Sequence, residues 1–269
     1  MSEGDRVFAG SIPALYDRHL GPMLFAGYAE DLARRIAEFA PAAILETAAG
    51  TGVVTRALIR TLPPGAEVTA TDLNQAMLDF AATQPGAERV TWRQADAQAL
   101  PFPNGSFDAV LRQFGVMFCP DRATAYREAR RVLKPGGRYL LSVWDRIEEN
   151  EFTHIVTDAV AALFSDNPPR FFARTPYGYY DVALIDNELR AARFTNVAIE
   201  TVARRSQAPS PRDAAVGLCQ GTPLRSEIEA RGADRLELAT NAAAAALAER
   251  FGTGAIDGKI QAHIVTASL

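Results

Sequence analysis

Strand and helix signals alternate along the first half of this chain, and that alternation limits the possible folds more than any other feature of the sequence. Strands are predicted at residues 44–45, 67–72, 90–94, 106–113 and 138–144. Helical spacing follows the first, second and fourth of them, with Asn74 as the predicted cap of the second helix and K-P-G-G at 134–137 ending the third, while a loop follows 90–94. An irregular or short-helical segment at 5–27 and a helix at 28–39 are predicted before these strands, and a helix at 182–191 is predicted after them. Because parallel strands need a crossover helix between them, this order predicts a parallel sheet with helices on both faces. Ligands of such sheets bind beyond the carboxyl ends of the strands.

A turn with almost no side-chain bulk follows the first of these strands. Residues 48–52 read A-A-G-T-G, and helical spacing resumes at Val53. Only small residues allow a ligand to approach the open backbone amides at the start of a helix. The turn therefore predicts a site for a nucleotide-like ligand.

Two kinds of nucleotide site remain open for this turn. A dinucleotide fingerprint has the form G-x-G-x-x-G, but Thr55 occupies the position of its third glycine. Glu46 lies four residues before Gly50, where a carboxylate opposes a bound diphosphate. Asp72 ends the second strand 20 residues after Gly52, a position from which a carboxylate accepts both ribose hydroxyls. Dehydrogenases share that last feature, so an NAD(P)-dependent Rossmann oxidoreductase remains an alternative.

The turn and four later motifs together resemble the class I S-adenosylmethionine-dependent methyltransferases, and in particular the group that includes the ubiquinone and menaquinone biosynthesis enzymes. The motifs are E-T-A-A-G-T-G, D-L-N-Q-A-M-L, A-D-A-Q-A-L-P-F-P-N-G-S-F-D-A-V, Q-F-G-V-M-F-C-P-D and R-V-L-K-P-G-G-R. The resemblance covers residues 11–145. Ala48 departs from the family pattern, since it stands where the first motif usually has its first glycine.

The resemblance implies an α/β fold, a Rossmann-like three-layer sandwich around a seven-stranded and mostly parallel sheet. One antiparallel strand near the edge is implied as well, and residues 259–267 are the segment that fits it. A single methyltransferase domain would span 1–269. Its parts would be an N-terminal helical lead-in at 1–40, a cofactor-binding core at 41–145, and helical substrate-lid insertions at 146–181 and 205–255.

The same resemblance implies a site for S-adenosylmethionine, with S-adenosylhomocysteine as the product. Glu46 would lie near the amino-acid end of the cofactor, and Asp72 would bind the ribose hydroxyls. The other implied cofactor-binding residues are Tyr16 at the cofactor's carboxylate, Ala48, Gly50 and Gly52 beneath it, Leu73 and Met77 on either side of the adenine, Asp96 and the backbone of Ala97 at the adenine edge, and Gln113 and Phe114 beside the methyl group. No catalytic base is assigned, because alignment of reactants alone contributes roughly 7–11 kcal/mol.

The implied activity is in-line transfer of the methyl group to a small-molecule acceptor. A non-catalytic, regulatory S-adenosylmethionine-binding protein would share every residue named above and remains a second alternative. The aromatic run from Phe171 to Tyr180 has two compatible interpretations: it packs an insertion against the sheet, or it lines an apolar acceptor pocket. His19 lies close to Tyr16 in sequence and is either a site residue or an ordinary surface residue.

The composition of the chain limits the partners and the location that we expect for it. A net charge of −4 over 269 residues gives no general attraction to nucleic acid or to anionic membranes. Cys119 and Cys219 match neither a metal-ligand spacing nor a disulfide framework, which predicts no metal site and a reducing compartment. The amino terminus lacks a basic start followed by an apolar core, and no apolar run is long enough to span a bilayer. A cytoplasmic location is therefore expected.

Overall fold

The computed structural model describes residues 10–232 and 234–269. Two small parts of the predicted domain division, residues 1–9 of the lead-in and Ala233 of the second insertion, lie outside the described residues. The strands are β1 (Ala43–Thr47), β2 (Glu67–Asp72), β3 (Val90–Gln94), β4 (Phe107–Gln113), β5 (Leu133–Trp144), β6 (Asn196–Ala208) and β7 (Ile256–Ser268).

These strands form one seven-stranded sheet in the order β3-β2-β1-β4-β5-β7-β6. The pairings among β1 to β5 are parallel, whereas β7 runs antiparallel to both of its neighbours, β5 and β6. Trp144 and Val202 both pair with Ala262, so β7 lies between two strands that run in the same direction. The predicted sheet, with one antiparallel strand next to its edge, is confirmed.

The helices cover both faces of this sheet. Their bounds are α1 (Ile12–Leu15), α2 (Ala26–Ala37), α3 (Val53–Thr61), α4 (Gln75–Ala81), α5 (Arg122–Val132), α6 (Glu151–Ala162), α7 (Phe171–Arg174), α8 (Val182–Ala191), α9 (Pro211–Gln220), α10 (Leu224–Glu229) and α11 (Arg235–Phe251). Short 3-10 turns occur at Ala87–Arg89, Val116–Phe118 and Ile147–Glu149. In the part of the chain that the structure describes, no helix combines the length and the apolar character needed to cross a membrane.

The N-terminal segment differs from the irregular or short-helical lead-in that the sequence suggested. Helical backbone runs without a break from Ile12 to Ala37, and its middle part, Tyr16–Phe25, is wound as a π-helix. Pro22 lies inside that π-helix. Proline has no amide donor and clashes with the carbonyl four residues earlier, and the wider π turn accommodates both effects. As a result, the helix predicted to begin at Tyr28 begins at Ala26.

The start of β5 also differs from the prediction. Residues 134–137, K-P-G-G, were expected to be a loop before a strand at 138–144, but the strand begins at Leu133. Leu133 pairs with Phe107 and Arg138 pairs with Ala109, so the register shifts between these two pairs. Gly136 takes a φ of +79°, a conformation in which extra residues can bulge out of the strand.

The aromatic run that follows α6 packs against the sheet. Of the aromatic residues in the run, Phe171, Phe172, Tyr177 and Tyr179 are buried and Tyr180 is exposed. The ring of Tyr177 stacks on Trp144 at the end of β5, with 5.8 Å between the ring centres. These contacts favour the packing interpretation of the run.

Candidate functional site

A cavity of about 120 Å³ lies at the carboxyl ends of β1, β2, β3 and β4. A single water needs roughly 10–15 Å³ by the same kind of measure, so the cavity is large enough for part of an organic ligand. Ten of the twelve residues predicted to bind the cofactor line it: Tyr16, Ala48, Gly50, Asp72, Leu73, Met77, Asp96, Ala97, Gln113 and Phe114. Glu46 and Gly52 do not.

The turn after β1 uses left-handed backbone at every second residue. The φ angles of Ala48, Gly50 and Gly52 are +58°, +56° and +80°. For an alanine this conformation is unfavourable by about 1–2 kcal/mol. The methyl group of Ala48 also needs space, and Gly115 provides it, because a Cβ built on Gly115 would lie 2.6 Å from the Ala48 Cβ. The sequence analysis did not single out Gly115.

Glu46 lies beneath this turn and not on the cavity wall. The Thr55 hydroxyl donates a hydrogen bond of 2.5 Å to Glu46 Oε2. Burial raises the pKa of Glu46 to about 8, so its carboxyl group is largely protonated at neutral pH. The predicted role of Glu46 near the amino-acid end of a cofactor therefore remains a prediction.

Gly52 likewise supports the turn from below. A Cβ at this position would lie 3.2 Å from Ala81 and 3.3 Å from Trp92, so the glycine allows α3 to pack closely on its neighbours. Gly52 also stands at the N-cap position of α3. Gly52 is the last residue of the turn and does not line the cavity. Its predicted position under a ligand therefore remains a prediction.

Asp72 joins the turn to the end of β2 and faces the cavity. Its Oδ2 accepts the backbone N–H of Gly50 at 2.8 Å, and its Oδ1 accepts the backbone N–H of Asn74 at 2.8 Å. Oδ2 retains a lone pair for a further donor. Burial raises the pKa of Asp72 above its ordinary value, although both backbone hydrogen bonds favour the charged form.

Asn74 was predicted to cap α4 with its side chain, and this prediction is wrong. Asn74 does occupy the N-cap position, but its side chain makes no cap hydrogen bond. Its Nδ2 group instead donates to Asp72 Oδ1 at 3.4 Å. The strand-end carboxylate attracts the amide donor, so the side chain turns towards the cavity rather than towards the helix.

The wall predicted to surround an adenine combines apolar and polar groups. Leu73 is 41% exposed, whereas Met77 is buried in the first turn of α4. Asp96 Oδ1 accepts the backbone N–H of Gln98 at 2.8 Å and so holds the loop after β3 in a tight turn. Ala97 lies between these two polar residues and lines the cavity with them.

The opposite wall comes from the π-helix and from the end of β4. Tyr16 stacks on Phe25 with 4.9 Å between ring centres, and burial raises the pKa of its hydroxyl well above its ordinary value. Gln113 Nε2 donates to the Phe25 carbonyl at 3.3 Å. Gln113 Oε1 is buried and has no hydrogen-bond partner in the described structure. This oxygen, on a residue that lines the cavity, therefore has acceptor capacity for a donor of a ligand or of an ordered water.

Phe114 is held rigidly beside that acceptor. Its φ of +48° is unfavourable for a bulky residue and is characteristic of functional sites. Its ring stacks on Trp144 with the two planes nearly parallel and 3.7 Å between centres. Its backbone N–H donates to the Ser142 carbonyl at 3.0 Å, which fixes the strained conformation.

Three lining residues that the sequence analysis did not connect with the cavity lie together beneath this wall. Arg112 is almost completely buried, with 1% of its surface exposed. Its Nε donates to Thr47 Oγ1 at 2.8 Å, and its Nη1 donates to Cys119 Sγ at 3.2 Å. Arg112, Phe118 and Cys119 all line the cavity. A charged residue directly after the apolar run 109–111 of β4 was the signal that could have drawn attention to Arg112.

His19 is not part of this cavity. Its Nδ1 lies 3.7 Å from Asp213 Oδ1, in a separate groove that Arg18 and Met23 also line. Burial lowers the pKa of His19. The π-helix thus turns His19 away from the wall to which it brings Tyr16.

Fold and site together define a class of protein. A glycine-containing turn after the first parallel strand, a carboxylate at the end of the second and a cavity beyond the strand ends are the features of an α/β domain that binds a nucleoside-containing ligand. In the described residues, no group of three or more His, Cys, Asp or Glu side chains is arranged to hold a metal ion.

Comparison with known proteins makes the class more specific. Residues 45–141 match the family model described as a methyltransferase domain. The ubiquinone/menaquinone biosynthesis C-methyltransferase of Hahella chejuensis is 40% identical over 106 residues, which are 38% of this chain and 43% of that protein. The enzyme of the same name from Geobacter sulfurreducens is 37% identical over 133 residues, 45% of this chain and 52% of that protein. The chain thus spans about half the length of the curated relatives it matches.

Among solved structures, phosphoethanolamine N-methyltransferase 2 of Haemonchus contortus in complex with S-adenosylhomocysteine has a TM-score of 0.61. Its identity is 17%, and the match covers 98% of this chain and 59% of that chain, so the likeness concerns the fold. Over residues 45–141 the chain is thus similar to a methyltransferase domain. Its predicted resemblance to the ubiquinone and menaquinone group is confirmed over this domain.

Proposed function

We propose that this protein is a methyltransferase that transfers the methyl group of S-adenosylmethionine to a small-molecule acceptor. The observation that carries the proposal is the cavity at the ends of four parallel strands. The turn at 48–52, Asp72, the loop at 95–98 and the end of β4 all contribute to it. The family match over residues 45–141 supports the same activity.

The polar groups of the cavity suit the proposed cofactor. Gln113 Oε1 is an unsatisfied acceptor, which suits the ammonium group of the cofactor's amino-acid portion. Asp72 Oδ2 keeps acceptor capacity, which suits a ribose hydroxyl, whereas Oδ1 already accepts two donors of Asn74. Leu73 and Met77 would hold the adenine ring between them, with Asp96 and the backbone of Ala97 at its edge.

When bound, S-adenosylmethionine supplies an electrophilic methyl group on a sulfonium, and the chain supplies binding and alignment. Phe114 contributes an apolar wall to the cavity just after β4, and its ring stacks on Trp144 at the end of β5. Such a wall excludes water and fixes the direction of approach of a second substrate. Burial keeps the Tyr16 hydroxyl protonated, so Tyr16 contributes as a hydrogen-bonding group rather than as a base.

The insertions are proposed to close the site. Within 205–255, α9 packs against the π-helix that carries Tyr16. A Cβ on Gly217 would lie 2.8 Å from the Cβ of His19 and 2.9 Å from the side chain of Leu20. Through this close approach, the lid segment would position the π-helix and so one wall of the cavity. The contact therefore supports the proposed division into a lead-in at 1–40, a core at 41–145 and lid segments at 146–181 and 205–255.

For the acceptor we propose a small organic molecule methylated on carbon, in line with the C-methyltransferase name of the relatives. The rings of Phe118 and Phe171 lie 6.4 Å apart, which supports an apolar or aromatic acceptor bound between the cavity and the aromatic run. The net charge of −4 supports a partner other than nucleic acid. The free cysteines Cys119 and Cys219 support a cytoplasmic location.

Calorimetric titration with S-adenosylhomocysteine and with NAD tests this proposal. We expect saturable binding of S-adenosylhomocysteine and none of NAD, and the reverse result would favour the oxidoreductase alternative. Incubation with S-adenosylmethionine and fractionated metabolites should then release S-adenosylhomocysteine and add one methyl group to an acceptor, as detected by mass spectrometry. Binding without product release from any fraction would favour the regulatory alternative.

A further inference from the structure

Arg112 is a buried cation at the end of β4. No carboxylate of residues 10–232 or 234–269 lies within ion-pair distance of its guanidinium. Its two hydrogen-bond acceptors are the hydroxyl of Thr47 and the sulfur of Cys119. The Thr47 hydroxyl meanwhile donates to the Leu111 carbonyl at 3.3 Å, so it acts as a neutral acceptor towards Arg112.

The other polar groups close to Arg112 are neutral at physiological pH. They are the hydroxyls of Tyr139 and Tyr126, and burial raises the pKa of both. The Tyr139 hydroxyl is itself buried without a hydrogen-bond partner. A charge taken out of water without an opposite charge is strongly unfavourable, and proteins rarely retain one without a use.

The position of Arg112 indicates what that use is. Its guanidinium has five donors, of which only the Nε and Nη1 groups have a hydrogen-bond acceptor in the described structure. Arg112 also lines the cavity, next to Gln113 and Phe114 at the end of β4. A planar guanidinium with free donors at a cavity wall is suited to an anionic oxygen.

We propose that Arg112 binds a negatively charged oxygen, a carboxylate or a phenolate, of a ligand held in this cavity. The proposal rests on the proposed function, because that function supplies the two ligands that could carry this oxygen. One is the cofactor, whose amino-acid portion ends in a carboxylate, and the other is an acidic acceptor. In either case the ligand supplies the opposite charge that the fold leaves out, and Arg112 discriminates against uncharged analogues.

Four probes distinguish the two sources. S-Adenosylhomocysteine carries the cofactor's carboxylate, and 5′-methylthioadenosine has the same nucleoside and thioether without it. Benzoate is a small carboxylate, and benzamide is its uncharged counterpart. Each of the four probes is titrated by calorimetry into the wild-type protein, R112M and R112K. Benzoate and benzamide are titrated both with and without saturating S-adenosylhomocysteine. R93M is the matched control, because Arg93 is an exposed arginine at the end of β3 that does not line the cavity.

If the anion belongs to the cofactor, R112M should weaken S-adenosylhomocysteine binding by about 10- to 100-fold, the range for hydrogen bonds to charged groups, and leave 5′-methylthioadenosine unchanged. If it belongs to the acceptor, both nucleosides should bind R112M normally, and the wild-type preference for benzoate over benzamide should disappear. R112K should retain part of either effect, and R93M should behave like the wild type.

Equal losses of S-adenosylhomocysteine and 5′-methylthioadenosine, with no preference for benzoate in the wild type, would overturn the proposal. So would R112M binding all four probes like the wild type. The wild-type comparison of benzoate with benzamide needs no variant, so it stands even if R112M does not fold. A wild-type protein that binds neither nucleoside would refute the proposed function, and benzoate would still report on Arg112.

Discussion

The contact between Ala48 and Gly115 leads to a quantitative prediction about the turn after β1. Gly115 has a φ of −117°, which any residue adopts, so alanine at this position carries no backbone strain. Its Cβ would nevertheless lie 2.6 Å from the Ala48 Cβ, whereas ordinary contacts begin at 3.4 Å, a difference of 0.8 Å. Overpacking of this kind destabilises a protein by about 1–3 kcal/mol, so G115A should lose stability by that amount.

The second substitution, A48G, removes both the methyl group and the strain of the left-handed backbone. Relief of that strain contributes about 1–2 kcal/mol, and the greater freedom of glycine in the unfolded chain offsets about 0.4–1 kcal/mol of it. A48G alone should therefore be neutral or slightly stabilising. In the double variant the overlap with the Ala48 methyl group disappears, whereas the contacts of a Cβ at position 115 with the Arg112 side chain, at 3.1 and 3.3 Å, remain. We expect a coupling energy of about 1–2 kcal/mol between the two sites.

Urea unfolding of the wild type, the two single variants and the double variant measures this coupling, provided that the m-values agree. G105A is the control, because Gly105 also has a positive φ of +63° but a Cβ there would meet nothing within 4 Å. It should lose stability through backbone strain and show no coupling to A48G. Additive effects of A48G and G115A would mean that Gly115 is not needed to accommodate Ala48.

Three further predictions concern groups around the cavity. D72A should weaken S-adenosylhomocysteine binding by about 1.5–3 kcal/mol in calorimetry, because it removes hydrogen bonds to a charged acceptor. The control D79A, on the exposed side of α4, should bind like the wild type. Equal affinities for D72A and the wild type would refute the assignment of Asp72 to the ribose. Glu46 has a pKa of about 8 in the folded protein, above that of an unfolded chain, so its contribution to stability should fall as the pH rises from about 4.5 to 8. E46Q should flatten the measured slope of unfolding free energy over that range, and parallel slopes would contradict the burial argument. G217A should displace the π-helix and lower both the melting temperature and S-adenosylhomocysteine affinity, whereas G254A, in open space, should change neither.

Local signals determined much of the fold in advance. The bounds of β2, β3 and α8 agree with the sequence prediction because glycine, proline and capping residues mark their ends. Asp181 is an example, since its side chain accepts the backbone N–H groups of Ala183 and Leu184 at the start of α8. Helices and strands whose ends carry such residues can be located without knowledge of the tertiary structure.

Other features depend on contacts that a linear pattern does not contain. The π-helix results from fitting Pro22 into a helix that continues to Ala37, and no periodicity marks that geometry. Glu46 has the sequence position of a ligand-facing carboxylate, but its side chain turns to Thr55. Arg112 was passed over because a strand pattern records which positions are buried and not which buried group lacks a partner.

The position of β7 has a consequence for the order in which the sheet assembles. β6 forms one edge of the sheet, and β7 is its single neighbour there. Domains fold as the chain leaves the ribosome, amino-terminal parts first, so β1 to β5 can pair while the later segments are still being made. Residues 196–208 then lack their strand hydrogen bonds until residues 256–268 emerge and pair with both them and β5. During synthesis the half of the sheet that contains the cavity can form first, and an unpaired β6 is the segment most open to mistaken pairing with other chains.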